Sequence, residues 1–367
     1  MIKTLQVQTR EGSYPIHIGA GLHGCLPDLL QEIGWNRERR LMLVTDDQVG
    51  PLYGEYVIQG LKDHGFQASC LTVPAGEGSK KLSQLEEMVG DCLQAGLDRS
   101  SAILALGGGV VGDLAGFLAA SYMRGIPFIQ LPTTLLAHDS SVGGKVGVNH
   151  PLGKNMIGAF HQPSMVVFDV NTLNTLPERE VASGYAEVVK HALIRDADFV
   201  CWLEERVDSL RRLEPDSVSE AIWRGCAVKG EVVSQDEKEA GLRAILNYGH
   251  TIGHALEATA GYGVLTHGEA VAIGMVGEAM LAEELGLCPP VSERTARLLS
   301  SFGLPTRLTL EIADEELLER MRRDKKVKQG RLTFILPREV GCVDRIGGVE
   351  EAVIRRALDR LRGGGEG

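Results

Sequence analysis

Apolar runs of the kind that form strands recur through the first half of the chain, at residues 2–9, 14–18, 41–45, 68–73, 102–106, 128–131 and 165–168. Amphipathic stretches such as residues 82–95 separate several of them. This repetition restricts the fold severely, because parallel strands need crossover connections and the crossover helices must cover the sheet. Beyond Leu176-Pro177-Glu178 the pattern changes to long helical periods at residues 180–195, 216–231, 250–260, 269–285 and 292–302. A chain of 367 residues also exceeds one ordinary core. The expectation is an α/β domain with a mostly parallel sheet over residues 1–177, followed by an all-α, or mainly helical, domain over residues 178–367.

Composition removes several function classes. Lys+Arg of 38 against Asp+Glu of 49 leaves a net charge of -11, the opposite of a nucleic-acid binder's footprint. An anionic ligand must then be met by a local cluster of cations. No apolar run reaches membrane-spanning length, and the N-terminus shows no apolar signal core. The seven cysteines are scattered, odd in number and form no CxxC, which fits reduced thiols in a cytoplasm.

Residues 102–106 run directly into Gly107-Gly108-Gly109-Val110-Val111-Gly112-Asp113. Glycines 107, 109 and 112 match G-x-G-x-x-G between an expected strand and an expected helix, where amide N–H groups and a helix N-terminus can approach a pyrophosphate. A tight strand-to-helix turn is the plainer reading of the same residues. The usual ribose-binding acid about 20 residues on is absent near Leu131. Asp46, at the end of an earlier strand, is the substitute, so the topology departs from the usual dinucleotide fold.

The centre of the chain is polar. Pro132-Thr133-Thr134 ends a strand, and Asp139, Lys145, Lys154 and Asn155 follow. Hydroxyls at the carboxyl end of a strand suit a ligand crevice, and the two lysines in a glycine-rich context suit an anion. Ser140 and Ser141 read as ordinary solvated loop.

In the helical half, Leu246-Asn247-Tyr248-Gly249-His250-Thr251-Ile252-Gly253-His254 places two imidazoles four residues apart on one helix face. A third follows at His267, and Glu187 precedes them in Gly184-Tyr185-Ala186-Glu187-Val188-Val189-Lys190-His191. Two histidines and one acid with a coordination position left open make a catalytic metal site. Spacing leaves open which imidazoles ligate, and the donor set leaves zinc, cobalt and iron open. Lys190, Lys229, Arg243, Asn247 and Lys326 read individually as surface groups; Lys190 differs because it falls three residues after Glu187, on the same face.

Taken in order, Ala75-Gly76-Glu77-Gly78-Ser79-Lys80, residues 107–117, Pro132-Thr133-Thr134-Leu135-Leu136-Ala137, residues 139–149, residues 184–191 and residues 246–254 resemble the 3-dehydroquinate synthase family, over about residues 46–326. The resemblance implies a Rossmann-like dinucleotide-binding domain followed by a metal- and substrate-binding helical domain. It implies an NAD- and metal-dependent phosphorus–oxygen lyase of the shikimate pathway, which leads to chorismate and the aromatic amino acids. Its substrate would be 3-deoxy-D-arabino-heptulosonate 7-phosphate.

The resemblance further implies one divalent metal, zinc or cobalt, on Glu187, His250 and His267, with His254 moved to the substrate. NAD would be held by Asp46, Glu77, Lys80, Gly109, Val110, Val111, Gly112, Asp113, Thr133 and Thr134, beside Lys145 and Lys154. The substrate would meet Asp139, Lys145, Lys154, Asn155, Lys190, Lys229, Arg243, Asn247, His254 and Lys326, with Lys325 the alternative to Lys326. Arg124 would reach into a partner subunit, which implies a homodimer. Val146, Gln48 and Lys81 stand where the family usually has Thr, Asn and Ser, and none of these changes removes a reactive group. The competing readings are another sugar-phosphate cyclase, or a metal-dependent dehydrogenase of the glycerol dehydrogenase type.

Overall fold

The structure is a computed structural model that describes residues 1–10, 12–261, 263–323 and 332–363. Its internal contacts define two compact units, Met1–Leu176 with Pro215–Lys238, and Pro177–Glu214 with Glu239–Gly367. No helix among the described residues is long and apolar enough to cross a membrane.

The first unit is built on a seven-stranded sheet. Its strands are β1 (Lys3–Thr9), β2 (Gly12–Gly19), β3 (Arg40–Asp46), β4 (Gln67–Val73), β5 (Ala102–Gly107) and β6 (Phe128–Pro132); β7 (Lys145–His150) and β8 (Gly153–Phe160) form a separate hairpin, and β9 (Met165–Asp169) completes the sheet. The order is β1-β2-β9-β6-β5-β3-β4, with only the β1–β2 pair antiparallel. β5, β6 and β9 are buried along their whole length, which is why they read as mainly apolar runs.

Alternate residues feed opposite faces. Met42, Val44, Ile103 and Ala105 pack in one cluster that includes Leu114, Leu118 and Val146, while Leu41, Leu43, Leu104 and Leu106 pack in another with Leu26, Leu30 and Leu61. The chain leaves β3 outward to β4 and then returns past β3 to β5, so the winding direction reverses between β3 and β5. Ligands of open α/β sheets bind at the carboxyl ends of the strands at such a reversal. Asp46 ends one of these strands and Gly107 the other.

A single cut at residue 177 does not describe the compact units. The helix Pro215–Gln235 belongs with the sheet, where it packs against β1 and β2. Lys3 pairs with Glu220 at 2.6 Å and lies over the ring of Trp223. Helical periodicity reports a buried face but not its partner, so the local pattern leaves this helix with its neighbours in sequence.

The second unit is helical but carries one antiparallel hairpin, β10 (Leu332–Glu339) with β11 (Cys342–Val349), which the all-α expectation lacks. At its centre the helix His267–Glu284 is buried on nearly every side and packs on His250–Ala260, Glu178–Arg195, Ser292–Ser301 and Glu351–Leu361. Two of these contacts are backbone against backbone. A Cβ at Gly274 would lie 2.0 Å from the carbonyl oxygen of Gly249, and one at Gly268 would lie 2.1 Å from that of Ser183. Only glycine admits such an approach.

Gly274→Ala is therefore expected to destabilise this unit by about 3 kcal/mol, the upper end of ordinary overpacking, or roughly 6–12 °C in thermal midpoint. Calorimetry checks it, and an unchanged midpoint contradicts the account.

Candidate functional site

Three helices bring one carboxylate and two imidazoles together. Glu187 sits in the middle of Glu178–Arg195 and is 1% exposed, while His250 and His267 each open a helix. The start of the His267 helix is fixed by a capping box between Thr266 and Glu269, and Arg179 grips Glu269 through Nε at 2.7 Å and Nη2 at 2.6 Å. Glu187 Oε1 lies 3.5 Å from His250 Nε2 and 3.4 Å from His267 Nε2. Donor atoms of Glu187, His250 and His267 all lie within 4.8 Å of one another.

This geometry fits a divalent metal. Bonds of about 2.1 Å at tetrahedral angles put neighbouring donors about 3.4 Å apart, the spacing that Glu187 Oε1 already has from each imidazole. The tautomers agree as well. His250 Nδ1 faces the carbonyl of Tyr248 at 3.1 Å; an oxygen there only accepts, so Nδ1 carries the hydrogen and Nε2 is left as a donor to metal. His267 Nδ1 faces Glu257 Oε2 at 3.4 Å, the carboxylate–histidine arrangement that orients metal ligands. Spacing alone left the choice of imidazoles open. Here His254 is the exposed ring of the three, its centroid 5.1 Å from that of His250 and 6.1 Å from that of His267.

Charge divides the two imidazoles nearest Glu187. Burial, reinforced by Lys190, holds His250 well below the ordinary histidine range and therefore neutral. Burial also works against a charge on His267, but the carboxylates of Glu187 and Glu257 outweigh it and push its pKa up to about 9. Lys190 is buried against Glu187 one turn away, Arg243 is buried, and Asn247 donates to Glu239 Oε1 and to the carbonyl of Ala244, both at 3.2 Å. Arg243 is therefore not the surface charge its individual setting suggested, and Lys190 lies beside Glu187 as its spacing indicated. Lys325 and Lys326 lie outside the described residues.

The sheet unit gathers a second polar cluster at the carboxyl ends of β3, β5 and β6. Asp46 Oδ1 accepts from the backbone N–H groups of Gln48 and Val49, at 3.0 and 2.8 Å, which fixes the turn after β3. Gly109, Val110, Val111, Gly112 and Asp113 form the first turns of the helix Gly109–Ser121, and Gly112 lies against Gln130 of β6 where a Cβ would meet Oε1 at 2.6 Å. Thr133 is buried and its N–H donates to Gly107 at 3.0 Å; Thr134 Oγ1 accepts from Ala137 at 3.3 Å.

Lys80 is 5% exposed and donates to Asp113 Oδ2 and Asn155 Oδ1, both at 2.5 Å. Burial pushes the Asp113 carboxyl above its ordinary range, and Lys80 pulls it back. Asn155 adopts φ 54, a left-handed conformation rare outside glycine, and its N–H donates to Asn149, whose side chain donates to Glu77 Oε1 at 2.7 Å. Lys229 is buried and spans Asp139, 2.8 Å from Oδ2 and 2.6 Å from the backbone oxygen. Lys145 and Lys154 are exposed. Ser141, expected in a solvated loop, is buried. Arg124 is not part of this cluster: it sits in the exposed turn before β6, with φ 72, toward the other end of that strand.

Two carboxylates escaped the sequence reading. Glu257 was within reach of it, since residues 250, 254 and 257 fall on one helix face. Glu278, 0% exposed, accepts from the N–H groups of Gly249, Thr251 and Ile252 and so caps the helix that carries His250. Its only sequence signal is an acid inside the apolar run 270–282.

The sign of the metal's pH dependence follows from His267. With a metal-free pKa of about 9, its ring is largely protonated at pH 7.5 and must lose that proton to ligate. Metal uptake at pH 7.5 is expected to release about one proton per metal, and affinity should rise with pH up to about 9. Titration in two buffers of different ionisation enthalpy measures the release; none at pH 7.5 contradicts the assignment. His267→Ala should lose stoichiometric metal while staying folded.

Comparison with known proteins bears on the whole chain. The family model described as 3-dehydroquinate synthase N-terminal matches residues 70–183, and the one described as 3-dehydroquinate synthase C-terminal matches residues 184–327. A curated 3-dehydroquinate synthase of Desulforamulus reducens is 49% identical over 97% of this chain and 99% of its own length. Among solved structures, a 2-deoxy-scyllo-inosose synthase complexed with carbaglucose-6-phosphate, NAD+ and Co2+ superposes with TM-score 0.88 at 28% identity, over 98% of this chain and 100% of that one. The 2-epi-5-epi-valiolone synthase from Streptomyces hygroscopicus subsp. jinggangensis, with NAD+ and Zn2+ bound, gives TM-score 0.87 at 29% identity, over 96% and 98%. The matched residues include every member of both polar clusters from Glu77 to His267, and the chain belongs to the 3-dehydroquinate synthase family.

Proposed function

We propose that the protein converts 3-deoxy-D-arabino-heptulosonate 7-phosphate into 3-dehydroquinate and phosphate, with one divalent metal and an NAD that is regenerated in each turnover. The observation that carries this reading is the open carboxylate–imidazole triad of Glu187, His250 and His267 in a chain of this family. When bound, the metal supplies Lewis acidity to substrate hydroxyls and NAD a reversible hydride acceptor.

The remaining work falls to the chain's own side chains. Asp46, Glu77, Lys80, Thr133, Thr134 and the turn 109–113 would hold the dinucleotide. Lys145, Lys154 and Lys229 would take the substrate phosphate, whose own oxygens accept the C6 proton as the C7–O bond breaks. Arg243 would pair with the carboxylate, and Lys190, Asn247 and Asn155 would orient hydroxyls. Asp139 keeps the Lys229 ammonium in one position. The exposed imidazole of His254 would exchange a proton with a substrate hydroxyl. Lys326 remains a substrate contact by family resemblance alone.

The other cyclases of this architecture form different carbocycles, and a dehydrogenase would accumulate NADH. Phosphate release from the heptulosonate phosphate, with added NAD and zinc or cobalt, separates them. We expect stoichiometric phosphate, no net absorbance of NADH, and complete loss on chelation. Accumulating NADH with a simple polyol and no phosphate release would overturn the reading.

A homodimer is part of the same proposal. The outer strand β8 exposes Met156 and Phe160, and Leu152 in the preceding turn is 91% exposed. His161, next along the chain, bonds the carbonyl of Ile126 at 2.9 Å, two residues from Arg124. Light scattering should report twice the 39.6 kDa chain mass, and a monomer would remove the role of Arg124 across subunits. The seven free cysteines support a reducing, cytoplasmic setting.

A further inference from the structure

The two imidazoles of the triad are supported differently. His267 has a carboxylate directly on its Nδ1, that of Glu257. His250 has a backbone carbonyl there, that of Tyr248, at 3.1 Å. That carbonyl and the N–H of Gly249 belong to one peptide unit, and the same N–H donates to Glu278 Oε2 at 2.7 Å. The result is a continuous chain of hydrogen bonds: carboxylate of Glu278, amide of Gly249, carbonyl of Tyr248, Nδ1–H of His250.

We infer that Glu278 is the outer carboxylate of His250, acting through the Tyr248–Gly249 peptide, and that it sets metal affinity by orienting and enriching that imidazole. The inference rests on the metal reading of Glu187, His250 and His267. A hydrogen bond to an amide N–H polarises the group, so its carbonyl becomes a better acceptor. A better acceptor at Nδ1 raises the basicity of Nε2, as a direct carboxylate does for other metal-bound histidines.

Local chemistry explains why the carboxylate comes from another helix. The helix-capping position is Gly249, with φ 80, and a Cβ there would meet Met275 Cγ at 2.5 Å and the carbonyl of Val271 at 2.8 Å. No side chain fits at that position, so none can cap the helix from it. Glu278, on the facing helix, takes over: besides Gly249 it accepts from Thr251 at 3.1 Å and Ile252 at 3.4 Å. Tyr248 is pinned from its other side by its hydroxyl, which donates to the carbonyl of Met275 at 2.9 Å. The peptide between the two carries no freedom of its own, so the direction of the His250 ring follows Glu278. Negative charge at this helix N-terminus is also favourable in itself, which is a structural role. The test must separate the two.

The experiment is a chelator-competition titration of Co2+ and Zn2+ on the full-length protein, with the thermal midpoint of each metal-free variant measured alongside. Wild type should bind one metal and His267→Ala none; a wild type that binds none overturns the metal reading and this inference together. Given binding, Glu278→Gln, which keeps the shape, should weaken affinity about tenfold and Glu278→Ala up to about 100-fold, with a shifted visible spectrum of the Co2+ form. Glu257→Gln should give a loss of similar size through His267. A purely structural Glu278 would lower the thermal midpoint while affinity and spectrum match wild type. That result, in either variant, overturns the inference with the metal reading intact.

Discussion

The close crossing of three helices in the second unit is the constraint on which the candidate chemistry depends. Gly268 rests on the backbone of Ser183, and Gly274 on that of Gly249. These contacts set the distances between the helices that carry Glu187, His250 and His267, and hence the 3.4 and 3.5 Å separations of the donor atoms. Side chains at the crossings would push the helices apart by an ångström or more, and a carboxylate cannot stretch to follow. The donor spacing that fits a metal is a consequence of backbone packing, with the rings oriented by Glu257 and by the Tyr248 carbonyl.

An acidic chain that holds an anionic substrate needs its cations fixed locally. Lys80, Lys190 and Lys229 are buried, and each is paired with a carboxylate: Asp113, Glu187 and Asp139. Such pairs add little to stability, because desolvation consumes most of the Coulombic gain. What they supply is placement. An ammonium fixed by a buried carboxylate loses little entropy when an anion or hydroxyl arrives.

Much of this was legible in the sequence, and what was not has identifiable physical causes. The central strands β5, β6 and β9 announced themselves because both faces are covered, so their residues are mainly apolar, whereas β1 and β4 show through a partial alternation of buried and exposed residues. β7 and β8 gave no such signal: glycines 147, 153 and 158 and the polar Asn149, Lys154 and Asn155 dilute an edge hairpin until it reads as loop. The helix Pro215–Gln235 showed its periodicity but not its allegiance to the sheet, since a buried face does not name its partner. The imidazole spacing pointed to a metal site, yet whether His254 or His267 completes it depends on a helix crossing that no local pattern encodes. Lys229 and Arg243 looked like surface charges because burial of a cation is decided by the fold: Lys229 meets Asp139, 90 residues away in sequence. Glu278 was hidden for the same reason, 29 residues from the amide it caps.

Anomalous diffraction at the zinc or cobalt edge from crystals grown with the metal tests the central claim most directly. The account predicts one strong peak per chain, bonded to Glu187 and to the Nε2 atoms of His250 and His267, with His254 outside the coordination sphere. A peak ligated by His254 in place of His267, or no peak at full metal loading, would contradict it.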